Sequence, residues 1–112
     1  MTKISSVGIF GSRTRTNALL TIHLLKESHA SEVARAINVS LSQAQKAVDS
    51  LERAGVVVGV LEGTARRLRL NPRFLARPEL EALLTKLSEI EPALQERLAE
   101  IRRRPRRASK PL

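Results

Sequence analysis

The stretch from Ser28 to Gly55, SHASEVARAINVSLSQAQKAVDSLERAG, constrains the fold more than any other part of the chain. It reads as two short helices joined by a tight turn. In the first, Ala30 to Ile37, the apolar residues Val33, Ala34 and Ile37 share one face. Asn38 follows at the turn, where its tolerance of left-handed backbone is useful, and Val39 anchors the turn in the core. Ser40 caps the second helix, with Gln43 three residues on as the capping-box partner. Leu41, Ala44, Val48 and Leu51 recur at spacings of 3, 4 and 3, which is one helical face, and Ala47 widens it. Gly55 stops the helix as the residue just past its cap. The small side chains of Ala34 and Ala44 let two such helices cross closely, as a helix-turn-helix requires.

The opposite face of the second helix carries Ser42, Gln43, Gln45, Lys46, Asp49 and Arg53. It is short, polar and amide-rich toward its N-terminus, as a major groove demands. Glutamine pairs bidentately with adenine, serine with several bases, and lysine with guanine or phosphate. An amphipathic helical hairpin with an ordinary polar face has the same pattern, so the pair alone leaves both readings open.

The residues that follow favour DNA. Val56-Val57-Val58-Gly59-Val60-Leu61 is a β-branched run and reads as a strand. Glu62-Gly63-Thr64-Ala65 is a turn with glycine available for positive φ. Arg66-Arg67-Leu68-Arg69-Leu70 returns as a second strand, Leu68 and Leu70 inward, Arg67 and Arg69 outward. A basic hairpin directly after a helix pair is the layout of a winged helix. Three arginines in four positions suit phosphate contact.

Upstream, Ser12 to Lys26 reads as a first helix, capped by Ser12 or Thr14. Leu19, Leu20, Ile22, Leu24 and Leu25 cover more than one side, so part of it is expected to meet a partner subunit. Arg13 and Arg15 at its start are candidates for phosphate contact or simply solvated charges. Before it, Val7-Gly8-Ile9-Phe10-Gly11 reads as a short strand or a docked arm.

Downstream, Asn71-Pro72 ends the hairpin, and Phe74 is expected to be buried in a connector. Pro78 sits at a helix start, with Glu79 and Glu81 against the positive N-terminal dipole. Leu80, Leu84, Leu87, Leu94, Leu98 and Ile101 then form an a/d-like seam, with Leu83 and Ile90 alongside. Pro92 lacks the N–H of a continuous helix, which predicts a break near Ile90–Pro92. The seam is too apolar for a lone surface helix. A second copy of the same helix is the expected cover, folding back on its own domain the alternative.

Charge follows these boundaries. The formal charge is +9, with 12 Lys/Arg against 5 acids in residues 1–78, 2 against 6 in 79–101, and 6 against none in 102–112. The basic parts point to a polyanion and the acidic segment to another protein chain. The tail beyond Arg104 has no apolar pattern and reads as disordered, able to neutralise phosphates non-specifically. Two aromatic residues, Phe10 and Phe74, are too few for base-stacking platforms.

No cysteine is present, which removes disulfides and cysteine-ligated metal. His23 and His29 have no acid at ligand spacing, so a structural role is expected for both and no metal or cofactor. No carboxylate pair, Ser/His/Asp set or phosphate-binding glycine loop suggests an enzyme. No apolar run spans a membrane, and the N-terminus lacks the core of a signal peptide.

The segment from Ser12 to Leu70 resembles a prokaryotic winged helix-turn-helix transcription regulator, with most similarity to the ArsR-like group. The resemblance rests on SEVARAINVSLSQAQKAVDSLERAGVV followed by a glycine-containing wing. It implies groove contacts from Ser40, Ser42, Gln43, Gln45 and Lys46, wing contacts from Arg66 and Arg67, and a homodimer through terminal helices. The metal-ligand clusters of that group's sensors are absent, and Gln45-Lys46-Ala47 stands where Ser-Arg-His is usual. Neither metal sensing nor a target sequence carries over.

The sequence therefore predicts a mainly α fold with a small β-hairpin wing. Residues 1–76 would form the DNA-binding domain, 77–104 a C-terminal helical dimerisation region, and 105–112 a disordered tail. The expected function is sequence-specific binding of double-stranded DNA by a cytoplasmic, nucleoid-associated homodimer regulating transcription as a repressor. Arg53 and Arg69 join Arg13, Arg15, Arg66 and Arg67 as expected contacts. A sequence-tolerant architectural protein and a winged helix used for protein assembly are the alternatives. Any effector is left open.

Overall fold

In the computed structural model, residues 9–103 are described. The order is α1 (Arg13–Leu25), α2 (Ala30–Ile37), α3 (Leu41–Arg53), β1 (Val57–Glu62), β2 (Ala65–Leu70), α4 (Arg77–Ser88) and α5 (Pro92–Arg103). The expected N-terminal strand or arm up to Gly8 and the basic tail from Arg104 lie outside the described residues. None of the described helices is long and apolar enough to cross a membrane.

Local chemistry sets several of the boundaries. Ser12 caps α1, its hydroxyl accepting from the Arg15 N–H. Asn38 ends α2 in the left-handed region at φ 61°, the conformation expected of it. Ser40 and Gln43 form a complete capping box on α3. Gly55, at φ 81°, turns the chain out of α3 into the hairpin. The strands join through Gly63-Thr64, with Gly63 at φ 62°, the first central position of a two-residue hairpin turn. Pro92 opens α5, so the helical region breaks where the proline requires it.

α1 is the centre of the molecule. All eight residues from Thr16 to His23 are buried. α2, α3, α4, α5 and β2 each pack on it. The expectation that part of α1 meets a partner subunit is corrected here, because the chain covers this helix itself.

The same holds for the leucine seam. Leu80, Leu84, Leu94 and Leu98 belong to one core cluster with Leu19, Leu20, Ile22, Val33, Val48, Leu51, Val57 and Leu68. Leu87 and Ile101 are half-buried against that cluster. The winged body thus leaves more surface to cover than the seam argument allowed, and α4 and α5 fold back to cover it. Burying a leucine as fully as Leu84 contributes about 1.5–3 kcal/mol. Residues 77–103 share the core of the preceding elements rather than standing apart as a separate layer.

Two arginines of α5 fasten it through backbone oxygens. Arg97 Nη1 donates to the Arg35 carbonyl at 2.9 Å, and Arg102 Nη2 to the Leu24 carbonyl at 2.6 Å. Both carbonyls lie in the last turn of a helix, where unpaired oxygens and the helix dipole favour a cation. Some of the C-terminal positive charge is therefore structural.

Candidate nucleic-acid interface

α3 presents Ser42, Lys46, Asp49 and Arg53 as its outermost stripe, at spacings of 4, 3 and 4. All four are exposed, and Gln43 and Gln45 flank them. Ala44, Ala47, Val48 and Leu51 face the core as the sequence predicts. Leu41 does not. It is 48% exposed, because no preceding turn of α3 stands over this first helical position. Leu41 instead lines an open cleft of about 410 Å³ between α3 and the hairpin, with Gln45, Val48, Asp49, Thr64 and Arg66 around it. Periodicity assigned Leu41 to the apolar face; the helix end is the signal that separates it from Ala44 and Val48.

The two roles the sequence asks of Gln43, cap and base contact, compete. Its Oε1 accepts from the Ser40 N–H at 3.2 Å and lies 3.4 Å from the Ser40 hydroxyl. The carbonyl that bidentate pairing with adenine needs is thus engaged in the cap, leaving the amide N–H groups to donate outward. Gln45 carries no such commitment among the described residues.

The hairpin stands beside α3, tied to the body at several places. At its base the Asn71 N–H donates to the Val56 carbonyl at 2.8 Å. On β2, Leu68 and Ser28 exchange backbone hydrogen bonds of 2.7 and 3.0 Å. Ser28 Oγ in turn donates to the buried carboxylate of Glu32 at 2.8 Å. Another attachment is Arg66, which hydrogen-bonds Glu52 and lies 3.9 Å from Asp49. The guanidinium is permanently charged, and the Glu52 hydrogen bond raises its pKa further.

Strand pairing sets Leu61 opposite Arg66, Gly59 opposite Leu68 and Val57 opposite Leu70, so these six share the body-facing side. Val58, Val60, Arg67 and Arg69 take the other side. The inward leucines and outward Arg67 and Arg69 match the sequence reading. Both expected wing contacts nonetheless carry internal partners. Arg66 turns to α3, and Arg67 bridges Glu27 at 3.0 Å and Glu62 at 2.6 Å. Arg69 is exposed with no ion pair among the described residues, as are Lys46 and Arg53.

Arg13 and Arg15 lie on the first turn of α1. Arg13 is exposed, and Arg15 is half-buried against Gly11. Among the described residues neither side chain is hydrogen-bonded or ion-paired to α3 or the hairpin. The expected dimer residues Leu80, Leu84, Leu94 and Leu98 turn away from any outer surface, whereas Leu83 and Ile90 are exposed.

His23 is buried between α1 and α4, its Nε2 3.0 Å from Thr85 Oγ1. Burial, with Lys26 nearby, lowers its pKa below 6.5, against an opposing effect from Glu81. The structural role expected of it is where the structure places it. His29 sits at the start of α2, Nδ1 3.1 Å from Ser31 Oγ. No group of three or more His, Cys, Asp or Glu residues is arranged to hold a metal among the described residues.

No protein-family model and no curated protein matches the sequence. Among solved structures, the chain is similar to the adhesin competence repressor of Streptococcus pyogenes, at 20% identity and a TM-score of 0.58. The match covers 80% of this chain and 66% of that one. Five helices around a two-stranded antiparallel hairpin, in the order found here, make this chain a winged helix, the fold of that repressor.

Proposed function

We infer that the chain binds double-stranded DNA and regulates transcription. α3 enters the major groove and the hairpin lies along the backbone beside it. The observation that carries this reading is the exposed stripe Ser42, Lys46 and Arg53 on a serine-capped helix, with Gln45 on its flank and a basic hairpin anchored next to it. A helix of this width with a positive N-terminal end fits the groove and its phosphates. The likeness to a repressor supports a regulatory role and a repressing one. An ArsR-like subtype is supported by the sequence resemblance alone.

The active form in this reading is a homodimer on two half-sites about 34–36 Å apart. The surface for it is the outer side of α4 and the turn after it, where Leu83 and Ile90 are exposed over inner leucines already covered. The site is cytoplasmic DNA.

Selection of binding sites from random duplex DNA, with a measurement of mass in solution, tests these points together. An enriched sequence with paired half-sites and a mass of two chains is the expected result. A specificity ratio near one supports a sequence-tolerant architectural protein instead. Absence of duplex binding at moderate salt ends the DNA reading.

A further inference from the structure

Arg66 and its neighbours make an arrangement that the DNA-binding reading alone does not require. The guanidinium leaves β2 on the body-facing side and reaches the flank of α3, where it meets Glu52 and Asp49. Gly59 of β1 lies beneath this pair. A Cβ there would stand 2.8 Å from Arg66 Nη2 and 2.8 Å from Glu52 Oε2. The ion pair therefore lies against bare backbone, and the glycine makes room for it.

The charges argue against a phosphate role for this arginine. Asp49 is on the outer stripe of α3, and Glu52 is half-buried beside it. To reach a phosphate, Arg66 would leave two carboxylates uncompensated beside a polyanion, and like charges at such distances repel. Held in place, it cancels part of their charge and sets the distance between hairpin and recognition helix. Lys46, Arg53 and Arg69 have no ion-pair partner among the described residues and remain available.

Resting on the DNA-binding reading, we propose that Arg66 is a positioning residue, tying the wing to the recognition helix through Glu52 and Asp49 over Gly59. Phosphate contact belongs to Lys46, Arg53 and Arg69.

The test is duplex affinity measured against salt concentration for four proteins: native, Arg66→Gln, Arg69→Gln, and the swap Arg66→Glu with Glu52→Arg. Arg69→Gln should lower the salt slope by about one, the signature of a lost phosphate contact. Arg66→Gln should weaken binding about fivefold, the scale of an exposed ion pair, with the slope unchanged. The swap should recover most of that loss. A slope lowered by about one in Arg66→Gln, or a swap no better than the single variant, overturns the proposal.

Amide hydrogen exchange of the hairpin in DNA-free protein reads the tether separately. Faster exchange along β1 and β2 in Arg66→Gln, reversed by the swap, supports it, and unchanged exchange overturns it. If the native protein binds no duplex, the DNA reading fails on that result and this exchange measurement still decides whether Arg66 holds the wing.

Discussion

The side-chain amide of Asn71 donates to the Gly55 carbonyl at 2.8 Å, joining the residue that leaves the hairpin to the glycine just past the end of α3. The Asn71 carbonyl oxygen also accepts from the Arg73 N–H at 3.0 Å, so one side chain closes both sides of the hairpin base. Asn71→Ala should lower stability by about 1 kcal/mol, since it removes one half-buried and one exposed hydrogen bond. Urea unfolding measures it. A change below a few tenths of a kcal/mol would show the base held by the backbone bond to Val56 alone.

Ser40→Ala should cost about 1 kcal/mol of stability through loss of the α3 cap. Because the Gln43 N–H loses its acceptor, the Ser40 hydroxyl at 3.1 Å, the first turn of α3 should also exchange its amides faster than the rest of the helix. Ser42→Ala, on the outer stripe, should leave stability within about 0.5 kcal/mol. Equal unfolding midpoints for the two variants would contradict the capping assignment.

His23 gives stability a defined pH dependence. Its folded pKa is lowered, so the folded state holds the neutral ring and the unfolded state takes up the proton first. Its contribution is fully present above the ordinary value of 6.5 and is lost as pH falls from there through the lowered value. A His23→Gln variant should therefore lose less stability than the native chain between about pH 7.5 and pH 5. Denaturation midpoints across that range, compared as a difference between the two proteins, isolate this group from the carboxylates. Parallel curves would mean that the ring titrates alike in both states.

Leu84 and Leu83 are neighbours in sequence with opposite expected effects. Leu84 is fully buried, and Leu84→Ala should cost about 2–5 kcal/mol. Leu83 is 41% exposed, and Leu83→Glu together with Ile90→Glu should leave the monomer fold intact. If the outer face of α4 joins two copies, that double variant should sediment as a single chain. A dimer that survives the double variant would place the interface elsewhere.

Gly59→Ala should leave stability nearly unchanged, because the atoms it displaces are the flexible ends of Arg66 and Glu52. Its duplex affinity should fall about as far as that of Arg66→Gln, roughly fivefold. Affinity equal to the native protein would show that the pair tolerates a methyl group beneath it.

The winged fold was legible because many of its boundaries carry a local signal. Ser40 with Gln43, Asn38, Gly55, Gly63 and Pro92 act within a few residues of themselves, and the chain obeys all of them. What was less legible depends on which surfaces meet. The seam of Leu80, Leu84, Leu94 and Leu98 announces that something covers it, but a second copy and the chain's own α1 satisfy the same pattern. Arg66 is instructive differently. The resemblance makes it a wing contact with Arg67, whereas the strand register sets it on the side of Leu68 and Leu70. The partners that hold it, Glu52 and Asp49, lie on an element outside the hairpin, where the pattern of the strand does not point. Gln43 shows the limit of assigning one role per residue, since the cap and a base edge ask for the same oxygen.

The burial of α1 on every side has a consequence for cooperativity. A helix that touches α2, α3, β2, α4 and α5 cannot lose one neighbour without exposing a face that the others need. The hairpin, α3 and the C-terminal pair should therefore melt in one transition rather than in stages. The same geometry makes α1 a common axle. Arg97 and Arg102 clamp α5 to the ends of α2 and α1, so α5 and α3 share α1 as a common packing partner.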